Sequence, residues 1–241
     1  MKAILLSAGQ SKRLYPLTQE KPKNLLLIDD KTLLDHQMEA LVANKVTDLV
    51  IVVGCFKELI QEHLANKAYP IKITYIVNDD FSTTGPILGG LARAKDHLTE
   101  PIVFFHCDVL FDAPALAAVL EHPEESVMLY RPDVWDAEAG KIIVEPDTHF
   151  VRECGKHVEQ ARASGEYLQI AKFGPDFRKR LIEVLETRVA ENRDGFTIDA
   201  FNEVVQDQRV HVVGLPYDGV VLEIDTPEDY ENAKKVWQER A

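Results

Sequence analysis

"LLSAGQSKRLYPLTQEKPKNLL" (residues 5–26) decides the fold. An apolar run that reads as a buried strand, "AILL" (3–6), leads into a glycine, two prolines and the cations Lys12, Arg13, Lys21 and Lys23, with Glu20 the only acid among them. In an open α/β sheet a loop in this place emerges at the carboxyl end of its strand, where such sheets bind ligands. Gly9 permits close backbone approach, and Pro16 and Pro22 stiffen the loop. The cationic side chains then face whatever lies above the sheet edge, and a polyphosphate is the expected occupant. A solvated basic turn is the competing explanation. Neither G-x-G-x-x-G nor G-x-x-x-x-G-K-[ST] is present, which disfavours a dinucleotide fingerprint or a P-loop.

Working outward, the same strand-then-helix unit repeats. "DLVIVVG" (48–54), "IKITYIV" (71–77) and "PIVFFH" (101–106) read as buried strands, and helical spacing occupies 32–46, 57–67, 86–98 and 113–121. In 57–67, Leu59, Ile60, His63 and Leu64 share one face, opposite Lys57, Glu58, Gln61 and Glu62. This alternation signals a mostly parallel sheet. Beyond Ser126 the pieces shorten to "SVMLY", "KIIVE", "HFVREC" and "EYLQIAKF", which suggest an antiparallel lobe, and helices return at 176–192, 198–206 and 228–239.

Bulk properties narrow the function. A chain of 241 residues with 46% hydrophobic content can bury a real core. Its net charge of −13 argues against a general nucleic-acid or anionic-membrane surface, because the long-range field repels phosphates. Cys55, Cys107 and Cys154 fall in no C-x-x-C spacing, so neither a disulfide framework nor a zinc site is signalled, and a reducing cytoplasm is expected. No stretch approaches the ~18 to 20 apolar residues of a membrane span. A single domain over 1–241 is the economical reading, with the pattern changing between a first half (1–125) and a second half (126–241).

The opening stretch resembles the signature of the nucleotidyltransferase family, A-A-G-x-G-[ST]-R-L-x-P-L-T-x-x-x-P-K, with Gly9, Arg13, Leu14, Pro16, Leu17, Thr18, Pro22 and Lys23 in register. Ser7 stands where alanine is common, and Gln10-Ser11-Lys12 replaces the usual glycine-rich stretch. The resemblance implies a Rossmann-like three-layer α/β sandwich with a mostly parallel mixed sheet and a small antiparallel lobe. It further implies that Arg13 grips the triphosphate and that Lys23 neutralises the α-phosphate and the incoming phosphate.

Two further stretches extend this reading. "IVFFHCDVLFD" (102–112) puts Asp108 directly after an apolar strand, and Asp112 before Ala113-Pro114 suits a helix N-cap, which leaves Asp108 unassigned. "GVVLEIDTPEDYENAKKVW" (219–237) ends a strand run at Asp225, while Thr226, Pro227 and Asp229 form a capping arrangement for the last helix. Two unassigned carboxylates at strand ends fit a hard-oxygen Mg²⁺ site. In the family these positions bind the catalytic metal.

"YIVNDDFSTTG" (75–85) and "ECGKHVEQARASGEYLQIAKF" (153–173) resemble the branch that makes CDP-activated small molecules, such as choline-phosphate and 2-aminoethylphosphonate cytidylyltransferases. By that likeness the base rests on Leu6, Ser7, Ala8 and Gly9 and on Asn78 and Gly85. Lys156 holds the acceptor phosphate and Glu166 lies beside it, with Gln169 in place of the branch's glycine. Tyr130, Trp135, Tyr167, Tyr217 and Asp218 could cage a quaternary ammonium, although ordinary packing also accounts for them; "GPILGG" (85–90) could admit a bulkier acceptor, including a sugar phosphate. The expected reaction is CMP transfer from CTP to a phosphorylated or phosphonate small molecule, without a covalent enzyme intermediate and with loss of pyrophosphate. The partners are those small molecules, with no nucleic acid and no membrane, and a homodimer is compatible. A UTP- or dTTP-dependent sugar-1-phosphate enzyme, a glycosyltransferase of the same fold and a non-catalytic relative are the alternatives.

Overall fold

Alternating side chains along four parallel strands build two cores, one on each face of the sheet. The structure is a computed structural model that describes residues 1–132 and 138–240. In chain order its elements are β1 (Lys2–Ser7), β2 (Leu27–Ile28), β3 (Lys31–Thr32), α1 (Leu33–Ala43), β4 (Asp48–Val53), α2 (Lys57–Lys67), β5 (Lys72–Val77), β6 (Ile102–His106), β7 (Val109–Phe111), α3 (Ala113–Leu120), β8 (Val127–Arg131), β9 (Lys141–Val144), β10 (Val151–Gly155), β11 (Gly165–Phe173), α4 (Pro175–Ala190), α5 (Thr197–Val205), β12 (Val213–Pro216), β13 (Val221–Glu223) and α6 (Pro227–Glu239).

The main sheet runs β10-β9-β11-β6-β1-β4-β5, with β8 joined to β11 and β12 joined to β8. Strands β6, β1, β4 and β5 are parallel, and β11 enters antiparallel against β6, pairing Ile170 with Phe105. The antiparallel part expected beyond Ser126 is therefore continuous with the main sheet. Because successive strand residues point to opposite faces, Ile4, Leu6, Val50, Val52 and Phe104 pack with Phe177, Leu181, Ile198 and Phe201 of α4 and α5. Ala3, Leu5, Leu49, Ile51 and Phe105 pack with Leu34, Met38, Ile60, Leu64 and Leu116 of α1, α2 and α3. Burying each large apolar side chain contributes roughly 1.5–3 kcal/mol.

Local chemistry sets the helix starts. Thr32 and Asp35 form a reciprocal capping box on α1, and Thr226 and Asp229 form one on α6, with proline in the first turn. The Asp112 side chain accepts from the Ala115 N–H and caps α3, as its sequence context suggests. The helix expected over 86–98 forms as short helical turns of wider and tighter pitch and not as a regular α-helix. Ile87–Leu91 is a single wide turn, with Leu91 N–H bonded to the Pro86 carbonyl and Ala92 N–H to that of Ile87, followed by a short turn at Lys95–His97. Gly89 and Gly90 weaken any helix there. Gly89 is also held against its neighbours, since a Cβ on it would lie 2.3 Å from Thr84 Oγ1 and 2.5 Å from Asn78 Nδ2.

A third, smaller cluster positions the site. Leu14 and Leu26 of the opening loop pack with Ile28, Leu33, Leu110, Ile224 and Trp237. This cluster fastens the loop to β13 and α6. Strand β13 in turn pairs antiparallel with β7, Glu223 opposite Val109, and the Ile224 N–H donates to the Asp108 carbonyl at 2.9 Å.

Candidate functional site

Three distant segments meet at the carboxyl end of β1 and β6. Pro22 precedes a tight turn over Lys23–Leu25 that buries the Lys23 side chain, leaving it 8% exposed. Its ammonium donates to Asp108 Oδ2 at 3.0 Å, to Asp225 Oδ1 at 2.7 Å and to the Ile224 carbonyl at 3.1 Å. Arg13 follows Ser11, which has a left-handed backbone, and its guanidinium bridges Asp225 Oδ2 at 2.6 Å and Glu138 Oε2 at 3.0 Å. These residues border a cavity of about 430 Å³, also lined by Leu6, Ala8, Gly9, Asn78, Gly85 and His106.

Charge is concentrated here. Burial works against the Lys23 ammonium, but the Asp108 and Asp225 carboxylates outweigh it and hold the group above its usual range. Burial would raise Asp225, but Lys23 and Arg13 keep it below the ordinary carboxylate value. Glu223, whose residue as a whole is open to solvent, carries a carboxyl pushed up to about 8 by desolvation among the cleft walls and by the Asp108 and Asp225 charges. Carboxylate oxygens of Asp108, Glu223 and Asp225 lie within 4.8 Å of one another, and Asp108 Oδ1 is buried with no hydrogen-bond partner among the described residues. A buried acceptor lacking a partner is costly unless something completes it. The all-oxygen donor set fits a hard divalent cation such as Mg²⁺.

A sequence profile described as nucleotidyl transferase matches residues 2–166. The chain belongs to the nucleotidyl transferase family. It is similar to the mannose-1-phosphate guanyltransferase of Schizosaccharomyces pombe, 30% identical over 95% of this chain and 62% of that protein, so it spans about three-fifths of that relative's length. It is also similar to the UTP–glucose-1-phosphate uridylyltransferase AglF of Haloferax volcanii, 28% identical over 99% of this chain and 97% of that one. The structure of CTP:phosphocholine cytidylyltransferase LicC from Streptococcus pneumoniae superposes with a TM-score of 0.74 at 21% identity, over 98% of each chain, which speaks for the fold.

In this chain, the residues expected to support a base have defined local roles. Ser7 lies beneath the cleft, where its hydroxyl accepts from the Asn24 side chain at 3.0 Å. Asn78 is buried, donating to Thr84 Oγ1 and accepting from the Asp80 N–H. The Gly85 N–H donates to the Asp194 carboxylate, and its carbonyl accepts from the Gly89 N–H. The Asn78 side-chain amide and the Gly85 N–H are thus both engaged in internal bonds. Both residues shape the cleft wall.

The acceptor-side candidates do not line this cavity. The Lys156 ammonium lies 4.2 Å from the centre of the Phe196 ring, and the Thr197 hydroxyl, one residue on, meets His106 Nε2 at 2.8 Å. Glu166 pairs with Arg131 and Lys141 across β11, on the stretch of β11 that extends past its pairing with β6. Tyr217 and Asp218 follow β12; Asp218 is exposed, and burial pushes the Tyr217 phenol up to about 12. Tyr130 and Tyr167 pack with the core on one face of the sheet and Tyr217 with the core on the other, so these three do not close one cage. Trp135 lies outside the described residues.

One contributor escaped the sequence reading, and a second was noted there only as a replaced glycine. Glu223 sits two residues before Asp225 in a strand run, and the two-residue period of a strand was the available signal. Gln169 adopts a left-handed backbone (φ 59°) at an irregularity in the β8–β11 pairing, and its side chain hydrogen-bonds Glu223. The conformation that favours glycine is thus kept with a side chain that reaches the acidic cluster.

Proposed function

We propose that the cleft joins a nucleoside triphosphate to a phosphorylated small molecule, with CTP as the nucleotide and a phosphate or phosphonate as the acceptor. The observation that carries this reading is the buried Lys23 ammonium held between Asp108 and Asp225 beside an open cavity that Arg13 and Gly9 also line. Such a reaction brings two anions together, so preorganised positive charge is its first requirement. Arg13, at the mouth with 56% of its side chain exposed, contacts the triphosphate, and Lys23 contacts the α-phosphate. Asp108, Asp225 and Glu223 hold Mg²⁺, which when bound neutralises phosphate charge and orients the triphosphate.

An acceptor phosphate oxygen bonds to the α-phosphorus in line with the bond to the β-phosphate. That bond breaks, and its electron pair leaves with pyrophosphate. A phosphate monoester has a second pKa of about 6 and is largely dianionic at neutral pH, so no general base is needed. Lys156, whose ammonium stands over the Phe196 ring, binds the acceptor phosphate, and Glu166 lies in or beside the acceptor pocket.

CTP is supported by the V-N-x-x-F segment at 77–81 and the G-K and G-E-Y segments at 155–167. A second reading, UTP or dTTP with a sugar 1-phosphate, is favoured by the match to AglF over nearly its whole length. Pyrophosphate detection with CTP, UTP, dTTP and ATP, each against phosphocholine, phosphoethanolamine, aminoethylphosphonate and sugar 1-phosphates, separates them. The CTP reading requires the highest kcat/KM with CTP and a non-sugar acceptor; a preference for UTP or dTTP with a sugar 1-phosphate replaces it with the second.

A further inference from the structure

One carboxylate outside the catalytic cluster gathers four backbone N–H groups. Asp194, in the connection between α4 and α5, accepts through Oδ2 from Gly85 at 2.5 Å, and through Oδ1 from Ile87 at 3.2 Å, Leu88 at 3.1 Å and Gly195 at 2.9 Å. Three of these donors, Gly85, Ile87 and Leu88, flank Pro86 where the wide turn begins. The first N–H groups of any helical turn lack internal partners, and their dipoles favour an anion. Here the anion comes from more than a hundred residues further along the chain.

The carboxylate is itself held in place. The Arg188 guanidinium, 6% exposed, donates to the Asp194 carbonyl at 3.4 Å and pairs with Glu203 at 2.6 Å. Gly195, directly after Asp194, takes a positive φ of 155°, which an ordinary side chain would resist. The turn it grips presents Gly85, Pro86, Gly89 and Gly90 to the cleft. On the inner side of that turn, Gly89 is wedged against Thr84 and Asn78. Gly85, Gly89 and Gly90 leave much of this turn conformationally permissive, so contacts from outside it help to set its shape.

We propose that Asp194 is a positioning residue of the nucleotide pocket, setting the backbone of Gly85–Gly90 from across the molecule. This inference rests on the cleft being the nucleotide site. Without the carboxylate, the turn samples other backbone arrangements, and the nucleotide must order it on binding. The cost therefore falls on nucleotide affinity and leaves the phosphate chemistry at Lys23 and Asp108 intact.

The test compares wild type with Asp194→Asn and Asp194→Ala. The Asn variant keeps the shape but turns an NH₂ donor toward backbone donors. Amide hydrogen exchange reads the tie directly, and calorimetric Kd with KM for nucleotide and acceptor reads its consequence. The expected result is faster exchange at Gly85, Ile87 and Leu88, and about a tenfold or greater rise in nucleotide Kd and KM, the scale of lost charge-assisted hydrogen bonds. Acceptor KM and saturated kcat stay within about twofold, a split that general destabilisation would not produce. Unchanged exchange, or nucleotide and acceptor KM rising together with a fall in kcat, overturns the proposal. If wild type turns over no substrate pair, the functional reading fails separately, and exchange with nucleotide Kd still decides the role of Asp194.

Discussion

The backbone N–H of Ile224 donates to the carbonyl of Asp108 at 2.9 Å. This bond continues the β7–β13 ladder by one step, so the carboxylate that follows, Asp225, lands beside Asp108 within reach of Lys23. A short ladder between strands from the middle and the end of the chain thus assembles the acidic cluster. Titration with Mn²⁺, followed by electron paramagnetic resonance, should show an ion bound by wild type with affinity reduced at least tenfold in Asp108→Asn and in Asp225→Asn, since each removes an anionic ligand. Equal Mn²⁺ affinity in all three proteins would remove these residues from the metal site.

Lys23→Ala should lower turnover a hundredfold or more, a loss of about 3 kcal/mol of transition-state stabilisation. It also leaves Asp108 and Asp225 facing each other without their shared cation. Mg²⁺ should therefore raise the Tm of Lys23→Ala more than that of wild type. A Tm response equal to that of wild type would mean that the cation and the metal do not address the same carboxylates.

Gly89→Ala tests the packing of the cleft wall. The added Cβ would meet Thr84 Oγ1 at 2.3 Å and Asn78 Nδ2 at 2.5 Å, both on buried or internally bonded side chains. Overpacking of this kind costs roughly 1–3 kcal/mol. Gly9→Ala, whose Cβ meets nothing within 4 Å, should leave the urea midpoint near that of wild type. Equal midpoints for both variants would show that the turn relaxes freely.

On the opposite side of the sheet, Asp35 is buried at the start of α1 and accepts from Tyr69 Oη at 2.7 Å, the Thr32 N–H at 3.0 Å and His63 Nε2 at 2.8 Å. Burial alone would raise its carboxyl, but these donors hold it well below the usual range. The folded pKa thus lies beneath the unfolded value of about 3.9, so the stabilisation is complete above that pH and shrinks as pH falls through the folded value. Asp35→Asn should be less stable than wild type by about 2 kcal/mol at pH 7, with the gap narrowing steadily below about pH 4. A gap that stays constant from pH 7 to pH 2.5 in urea unfolding would show that the charge of Asp35 is not what stabilises.

Much of this was legible in the chain because local rules and global fold agree. The strands at 48–53 and 72–77, the helix at 57–67 and the caps at Asp112 and Thr226 follow from apolar period and side-chain chemistry alone. Asp108 and Asp225 stood out as carboxylates that helix capping left unassigned, and Lys23 through the resemblance of the opening stretch. The stretch 86–98 is helical as its spacing suggests, but it opens as a wide turn at Ile87–Leu91, where Gly89 lies against Thr84 and Asn78 and Gly90 against Leu6, contacts that no local pattern reveals. Asp194 was invisible for the same reason, since its donors lie far away in sequence. The engagement of Asn78 and Gly85 in internal bonds likewise depends on tertiary neighbours.

The most direct test of the central claim is pyrophosphate release measured for wild type, Lys23→Ala and Asp108→Asn with each nucleotide and acceptor pair, with and without Mg²⁺. Wild type should release pyrophosphate only when nucleotide, acceptor and Mg²⁺ are all present, in step with formation of the nucleotide–acceptor product, and both variants should fall at least a hundredfold. Release that needs no acceptor, or that persists at the wild-type rate in Asp108→Asn, would contradict the account.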